Sequence, residues 1–312
     1  MYNKKLSLAI PTYNRHEILY ENLQYILPEL SRHSIAIFIS DDSDNNRTSE
    51  MVDVLTTEYP FVYYEKNHPP LGHDKNILRT LQLPDTEYVW LIGDSIIIKN
   101  DSINNIINIL THDLDFIFIN AYVENGYKTS MIADVHAFMV NFTWYLTLTG
   151  ATIYNKNVIR SFSDRINVTY YKNFQQVAVI LSYLSTKNVN AYWVDEKLIT
   201  FNNKKVSYWM GKAFDVFVND WTYLVRSFPL VFQNESVITQ VVYSHAKNTK
   251  VFCYNSLLEY SYNGVLNYKM LISNNVNINI ALRKSFVVIF FISIMPKWLL
   301  TTCLKFKKLV YK

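Results

Sequence analysis

Short apolar runs alternate with longer amphipathic stretches over the first 205 residues of the chain. The runs at residues 5–10, "SIAIFIS", "FVYYEKN" and "EYVWLIG" are rich in β-branched or aromatic residues, which predicts four strands. Between them, apolar residues recur every three or four positions at 18–30, in "RTSEMVDVLTTEY" and at 74–83, which predicts three helices. Because the strands alternate with helices, the sequence predicts an α/β fold on a mostly parallel sheet.

The pattern continues and then changes towards the C-terminus. The runs "LDFIFIN", "GATIYN" and "NAYWVDEKLITFN" each predict one further strand, and "NFQQVAVILSYLSTK" predicts an amphipathic helix. The stretch "DSINNIINIL" predicts another helix, with Asp101 as its N-cap. From Lys212 onward the pattern is helical and aromatic. We therefore expect one large domain at residues 1–205 and a helical extension at 206–312.

Composition and charge narrow the class of protein. Half of the residues are hydrophobic and 18% are charged, which is typical of a globular chain with a sizeable core. The net charge of +4 comes without an arginine-rich face, so we expect no nucleic-acid partner. Cys253 and Cys303 are far apart and lack metal-ligand spacing, which indicates a reducing compartment. The apolar stretch before Pro11 is too short for a secretory signal, so the expected location is cytoplasmic.

Polar clusters follow three of the predicted strands. They lie at residues 12–15, at residues 41–43 and at Asp94. Each cluster alone is more typical of a helix cap. Ligands of parallel α/β sheets bind outside the carboxyl ends of the strands, so three such clusters together predict a binding site at one edge of the sheet.

The segments "LSLAIPTYNR", "IFISDDSDN", "GHDKNILRTL" and "YVWLIGD", in this order, resemble inverting nucleotide-sugar glycosyltransferases of family 2 with a GT-A fold. The resemblance covers about residues 4–205. It implies a Rossmann-like catalytic domain that moves one sugar from a nucleotide-sugar donor to an acceptor. Among such enzymes, the chain is similar to bacterial transferases of surface polysaccharides such as O-antigen and capsule.

The resemblance implies which residues bind the donor. In the family, the first loop, the end of the second strand and the loop before the third helix face the nucleotide sugar. An aromatic ring can stack on a base, and a guanidinium can grip phosphate oxygens in a fixed fork. The matching positions here are Pro11, Thr12, Tyr13, Arg15, Asp41, Asp42, His73, Asn76, Asp94 and Ser95.

The acidic cluster that the family uses for a metal ion is incomplete in this chain. Family members carry Asp-x-Asp after the fourth strand, whereas this chain keeps Asp94 and continues with Ser95 and Ile96. Three explanations stay open: Asp94 alone holds the ion with phosphate and water, lysine or arginine side chains replace the ion, or catalysis is lost. Because Mg²⁺ often uses only one or two protein carboxylates, the sequence favours Mg²⁺ or Mn²⁺ at Asp94.

The acceptor side also departs from the family. Gly150 matches a glycine whose backbone passes close to the donor sugar, although close packing without a ligand would also require glycine. Gln175 and Gln176 stand where family members carry the acidic pair that supplies the catalytic base, and an amide cannot accept that proton. Asp164 is the first alternative base and Asp134 the next. Without such a base the reaction would retain configuration, so its stereochemistry stays open.

The tail predicts contact with a membrane surface. Residues 285–304 form the longest apolar run, but Pro296 and Lys297 interrupt it and lysines follow it. We therefore expect an interfacial segment at 285–312 instead of a spanning helix. The alternative is a helix docked on the core or on another subunit.

Together these features predict a glycosyltransferase, peripheral on the inner face of the cell membrane, that acts on a saccharide or lipid-linked saccharide. The alternative is a catalytically degenerate GT-A scaffold that binds nucleotide or a partner transferase. A nucleotidyltransferase is disfavoured because "PTYNRHE" is not a glycine- and lysine-rich triphosphate loop.

Overall fold

The chain folds into two compact units. The computed structural model describes residues 1–121, 127–162, 165–202, 204 and 207–310. The first unit comprises residues 1–138 and 145–205, and the second comprises 139–144 and 206–312.

The first unit contains strands and helices in alternation, as the hydrophobic pattern predicts. Its strands are β1 (Leu6–Thr12), β2 (Ala36–Asp41), β3 (Val62–Lys66), β4 (Tyr88–Leu91), β5 (Ile96–Ile98), β6 (Phe116–Ile119), β7 (Ser130–Met131), β8 (Thr152–Asn155), β9 (Ala191–Val194) and β10 (Ile199–Phe201). Its helices are α1 (His16–His33), α2 (Arg47–Glu58), α3 (His73–Gln82), α4 (Ser102–Ile109), α6 (Lys156–Phe162) and α7 (Gln175–Leu184). Helix α5 (Val135–Phe142) and a 3₁₀ turn, Thr143–Thr147, each contain residues of both units.

Eight of the described strands form one sheet in the order β3-β2-β1-β4-β8-β6-β9-β7. Strands β1 to β4 are parallel, β8 runs antiparallel between β4 and β6, and β9 is parallel to β6. Strands β1, β2 and β4 are buried along almost their whole length, which explains their near-continuous apolar sequences. The structure confirms the α/β fold with a mostly parallel sheet that helices flank.

One sequence prediction about elements is wrong, and another is correct only for the position of the residue. The run "NAYWVDEKLITFN" forms two strands, because β9 joins the large sheet whereas β10 pairs with the short β5 in a separate antiparallel sheet. Asp101 occupies the N-cap position of α4, as predicted, but its side chain makes no capping hydrogen bond. Its backbone is left-handed, with φ of 63°, and its carboxylate lies 4.0 Å from the Arg32 guanidinium.

The second unit is helical, as the pattern after Lys212 predicts. It begins with a 3₁₀ turn, Tyr208–Lys212, and a π-helical segment, Asp215–Asp220. Its α-helices are α8 (Trp221–Arg226), α9 (Pro229–Phe232), α10 (Glu235–Thr249), α11 (Tyr254–Tyr262), α12 (Tyr268–Ser273), α13 (Asn275–Leu282), α14 (Phe286–Ile294) and α15 (Lys297–Val310). Within the described residues, no individual helix has the length and apolar character to cross a membrane, although Val276–Leu282 and Phe286–Ile294, bent by 109°, pass that test as a pair.

Candidate active site

The register of the sheet brings the three polar clusters to one edge. Thr12 pairs with Asp41 between β1 and β2, and Ala9 pairs with Leu91 between β1 and β4. Since Thr12 and Asp94 each lie three residues beyond that second pair, their side chains reach the same level. The Thr12 hydroxyl donates to Asp94 Oδ2 at 3.3 Å. The structure therefore confirms the prediction that the three clusters lie together at one edge of the sheet.

Asp94 lies at the centre of this edge and is only 6% exposed. Arg15 Nη1 donates to Asp94 Oδ1 at 3.0 Å, so both carboxylate oxygens accept hydrogen bonds from the first loop. A hydrogen bond between two charged groups is stronger than a neutral one, and it fixes the guanidinium against β4. The Asp94 carboxylate thus forms an ion pair with Arg15 of the same chain.

Two buried asparagines outside the set predicted from the sequence hold the backbone around Asp94. Asn22 Nδ2 donates to the Asp94 carbonyl at 2.9 Å, and Asn202 Nδ2 donates to Asn22 Oδ1 at 3.1 Å. The backbone N–H of Asn202 also donates to the Ser95 carbonyl at 3.0 Å. The signal for Asn22 was present in the sequence, because this residue interrupts the apolar stripe of α1. A polar residue on an apolar face usually satisfies a buried partner.

Asp41 is fully buried and bonds within the protein. Its Oδ1 accepts hydrogen bonds from the backbone and the hydroxyl of Ser43, and its Oδ2 accepts from the Tyr64 hydroxyl at 2.8 Å. Lys66 Nζ lies 3.5 Å from the same Oδ2. Burial, followed by this hydrogen bond to Asp41, raises the pKa of Tyr64. The Asp41 carboxylate therefore anchors the loop after β2.

Asp42 organises the loop that precedes α3. Its Oδ1 accepts from Asn67 Nδ2 and from the Leu71 backbone, each at 2.9 Å, and its Oδ2 accepts from the Gly72 backbone at 2.6 Å. Gly72 has φ of 81° and ψ of 157°, a conformation that favours glycine because it has no Cβ. Three of the lone pairs of Asp42 are thus used inside the protein.

Asn76 belongs to the same buried network. Its Oδ1 accepts from the Ser40 hydroxyl at 2.6 Å and from Asn67 Nδ2 at 3.1 Å. Its Nδ2 donates to the carbonyls of Ser40 and Thr12, at 3.3 and 3.5 Å. Asn76 therefore fixes the ends of β1 and β2 relative to α3.

The predicted donor-binding residues divide into a buried floor and an exposed rim. The floor consists of buried residues, and all of them except Ser95 form side-chain hydrogen bonds: Thr12, Asp41, Asp42, Asn76, Asp94 and Ser95. The rim consists of Tyr13, which is 56% exposed, Arg15 with a side chain 25% exposed, and His73 with a side chain 44% exposed. His73 Nδ1 is paired with Asp74 at 2.9 Å, and Pro11 is half-buried. A ligand at this edge would meet the rim first.

The residues predicted for the acceptor side lie near the same loops, since an added Cβ on Gly150 would lie 3.5 Å from Ile96 Cγ2 and the Asn173 backbone, two residues before Gln175, donates to Asp74 at the start of α3. Gly150 has φ of 113°, its carbonyl accepts from Trp90 Nε1 at 2.9 Å, and an added Cβ would lie 3.2 Å from Ile199 Cδ1. The positive φ favours glycine because glycine has no Cβ, and the close contact with Ile199 favours it further. Gln175 is 1% exposed; its Nε2 donates to the Tyr171 carbonyl at 2.8 Å, and its Oε1 has no partner within the described residues.

Of the two candidate bases, Asp134 and Asp164, the structure describes only Asp134. Asp164 lies outside the described residues. Asp134 is exposed, and its Oδ1 accepts from the Ala137 backbone at 2.9 Å, so it caps the start of α5. A role for either carboxylate as a base stays a prediction.

The residues around Asp94 do not fit a divalent ion held by an acidic cluster. Both Asp94 oxygens are engaged by Arg15 and Thr12, and Ile96, which replaces an acidic residue of the family, is 5% exposed in the apolar core. Hard cations prefer several oxygen ligands, preferably anionic ones. In the part of the chain that the structure describes, no group of three His, Cys, Asp or Glu side chains is placed to hold a metal.

Comparisons with known proteins identify a glycosyltransferase family and a relative named as a glycosyltransferase. The model of "Glycosyl transferase family 2" matches residues 7–169, that is 163 of the 312 residues. The chain is 30% identical over 183 residues to "Abequosyltransferase RfbV" of Salmonella typhimurium strain LT2. That alignment covers 58% of this chain and 51% of the relative, so the chain spans about half the length of the relative that it matches.

Two solved structures are similar over most of the chain. S. aureus TarS 1-349 in complex with UDP-GlcNAc superposes with a TM-score of 0.59 at 14% identity, over 92% of this chain and 87% of TarS 1-349. The mannosyltransferase PcManGT of Pyrobaculum calidifontis, in complex with GDP-Man and Mn²⁺, gives a TM-score of 0.54 at 11% identity, over 90% and 86% of the two chains. At these identities the likeness concerns the fold.

Proposed function

Since the chain belongs to glycosyl transferase family 2, we propose that it transfers a single sugar from a nucleoside-diphosphate sugar to a saccharide hydroxyl. The observation that supports this most is the meeting of Thr12, Arg15 and Asp94 where β1 and β4 end. In the reaction, the acceptor oxygen bonds to the anomeric carbon while the bond from that carbon to the diphosphate oxygen breaks. The bonding electron pair leaves with the diphosphate, and the acceptor proton passes to a base.

The exposed rim is suited to the donor. Tyr13 presents an aromatic face on which a base can stack without a particular hydrogen-bond pattern. Arg15 presents a planar guanidinium, which matches phosphate geometry and favours the charge that develops on the leaving diphosphate. Asp94 and the asparagines behind it would keep the Arg15 guanidinium in place, so that little reorganisation is needed when charge develops.

We propose the transferred sugar and the acceptor only as chemical classes. The relative from S. typhimurium bears the name of an abequosyltransferase, so we propose a deoxyhexosyl or hexosyl group as the transferred sugar and a surface glycan as the product. A saccharide carried on a lipid fits a protein that works at a membrane surface. We keep Asp164 as the proposed base.

The second unit supports attachment to an anionic membrane. On α14, Val287, Phe291 and Ile294 lie four and three residues apart and are 59%, 60% and 50% exposed, and Trp298 at the start of α15 is 71% exposed. The sequence after Glu259 carries eight lysine and arginine residues and no aspartate or glutamate. Exposed apolar side chains beside cations bind the boundary of an anionic bilayer. We propose the inner face of the cell membrane as the site of transfer.

Turnover on a panel of nucleotide sugars tests the proposed function. The purified protein, supplied with bacterial glycolipid extract, is expected to release nucleoside diphosphate from at least one donor. Asp94→Asn is expected to reduce release by on the order of 100-fold, because the Arg15 guanidinium loses its charged partner. The matched control is Asp53→Asn, an exposed aspartate on α2, which should leave turnover unchanged. Full activity of Asp94→Asn would contradict the assigned site.

One observation favours a second candidate, a GT-A scaffold that binds nucleotide without turnover. Gln175 is buried where the family has an acidic residue, so the first turn of α7 offers no proton acceptor. Calorimetry that detects nucleoside diphosphate binding, together with no release from any donor and acceptor extract, would identify this alternative.

A further inference from the structure

We propose that the Arg15 guanidinium takes the place of a divalent cation at this edge of the sheet, so that the protein binds a nucleoside diphosphate without a metal ion. This inference rests on the proposed function, because it concerns the diphosphate of the same donor. It decides between the explanations that the incomplete acidic cluster leaves open.

The first observation is the ion pair itself. Arg15 Nη1 lies 3.0 Å from Asp94 Oδ1, and the side chains of Arg15 and Asp94 are 25% and 7% exposed. The other Asp94 oxygen accepts from Thr12 at 3.3 Å. A metal ion bound to Asp94 would lie close to the Arg15 guanidinium and would share one mostly buried carboxylate with it. Repulsion between the two cations disfavours the ion at this position.

The second observation is the loss of the neighbouring ligands. Ile96 begins β5 and pairs with Phe201 of β10, so its side chain is fixed among apolar neighbours. Ser95 is 1% exposed, and its hydroxyl has no partner in the described part of the chain. The residues after Asp94 therefore pack the protein interior instead of adding anionic oxygens to a cation site.

The third observation is that the guanidinium can serve the diphosphate while it holds Asp94. An arginine carries five N–H donors in a rigid fork, and an N–H of Nη1 donates to Asp94 Oδ1. A quarter of the Arg15 side chain is open to solvent, at the edge where β1 and β4 end. A cation fixed in this way supplies charge and geometry to phosphate oxygens, which is the role that a bridging metal ion otherwise has.

Calorimetry with uridine, cytidine, guanosine and thymidine diphosphates tests the inference, each titrated in EDTA and in excess Mn²⁺. For the nucleotide that binds, we expect Kd in EDTA within threefold of Kd in Mn²⁺. Arg15→Ala should weaken binding in EDTA at least tenfold, and Arg15→Lys should restore it in part. In Arg15→Ala, Mn²⁺ should recover some affinity, because Asp94 is then open to the ion. The control is Arg32→Ala, an exposed arginine at the far end of α1.

The outcomes separate this inference from the proposed function. Binding by the wild type only in Mn²⁺ would overturn the inference and leave the proposed function intact. Equal binding in both buffers with no effect of Arg15→Ala would overturn the role of Arg15. The absence of binding by any of the four diphosphates in either buffer would overturn the proposed function, and the inference with it.

Discussion

At the scale of single residues, the edge of the sheet separates groups that hold the protein together from groups that can meet a ligand. Asp41, Asp42 and Asn76 direct their polar atoms to the backbone and side chains of nearby loops. Tyr13 and Arg15 remain accessible to solvent. Donor affinity should therefore depend directly on the exposed pair, whereas changes to the buried set should act by moving loops.

Tyr13 gives a direct test at this scale. Tyr13→Ala should weaken binding of a nucleoside diphosphate by roughly 5- to 150-fold, because a base stacked on an aromatic ring contributes about 1–3 kcal/mol. Tyr13→Phe keeps the ring and should bind nearly as well as the wild type. Tyr25→Ala, at a tyrosine of α1 that is 51% exposed, is the matched control. Equal calorimetric affinities for all three variants and the wild type would exclude base stacking at Tyr13.

The sequence predicted where the candidate site lies on the sheet, but it did not predict the hydrogen-bond partners of the residues there. Polar residues after apolar strands mark the carboxyl edge of a parallel sheet, so Thr12, Asp41 and Asp94 could be expected together. The sequence could not show whether a carboxylate faces a ligand or its own loop. That choice depends on distant partners such as Asn67 and Asn202, which only the tertiary structure brings near.

At the scale of elements, the hydrophobic pattern predicts individual strands and helices well, but it does not predict which distant strands pair. Strands β1 to β4 and helices α1 to α3 follow the hydrophobic pattern, because strand and helix periods are local properties. The three-residue strands β5 and β10 pair with each other from positions about 100 residues apart, and no local pattern encodes this. Their pairing matters because β5 begins two residues after Asp94 and carries Ile96 into the core.

Helix α10 makes the stability of the protein sensitive to acid through one buried histidine. His245 is 2% exposed, and its ring stacks on Phe217 with centroids 4.5 Å apart. Burial lowers the pKa of His245 from 6.5 to about 3. Below pH 6.5 the imidazole of His245 therefore binds a proton in the unfolded chain but stays neutral in the folded chain. Stability is retained above this pH and is lost progressively as the pH falls towards 3.

The measurement is urea unfolding at pH 7.5 and pH 5.0, followed by circular dichroism. This histidine should reduce the free energy of unfolding by about 2 kcal/mol between the two pH values, and His245→Phe should remove that share of the loss. Comparison of the losses in the two proteins cancels the contributions of other groups. The same pH-dependent loss in His245→Phe and the wild type would contradict the burial of a neutral imidazole.

At the scale of the whole molecule, the second unit should determine where the protein works. Its helix α14 exposes Val287, Phe291 and Ile294, and the sequence around it is cationic and free of acidic residues beyond Glu259. An apolar face and positive charge together favour anionic bilayers over neutral ones. Attachment of this kind would place the protein on the membrane that carries a lipid-linked acceptor.

Cosedimentation with vesicles measures this attachment. The wild type should bind phosphatidylcholine vesicles containing phosphatidylglycerol and should bind pure phosphatidylcholine at least tenfold more weakly. Phe291→Asp and Trp298→Asp should each reduce binding to the anionic vesicles several-fold, because a charge replaces an inserted ring. Leu230→Asp is the matched control, since Leu230 is as exposed as Trp298 but lies on α9. An equal loss in the Leu230 variant would contradict a specific membrane face.

The most direct test of the whole account is a crystal structure of the protein soaked with uridine or cytidine diphosphate in the presence of EDTA. We expect diphosphate oxygens within about 3 Å of the Arg15 guanidinium, with Asp94 still paired to it and the base beside Tyr13. A nucleotide bound away from the ends of β1 and β4, or an Arg15–Asp94 pair that no nucleotide reaches, would contradict it.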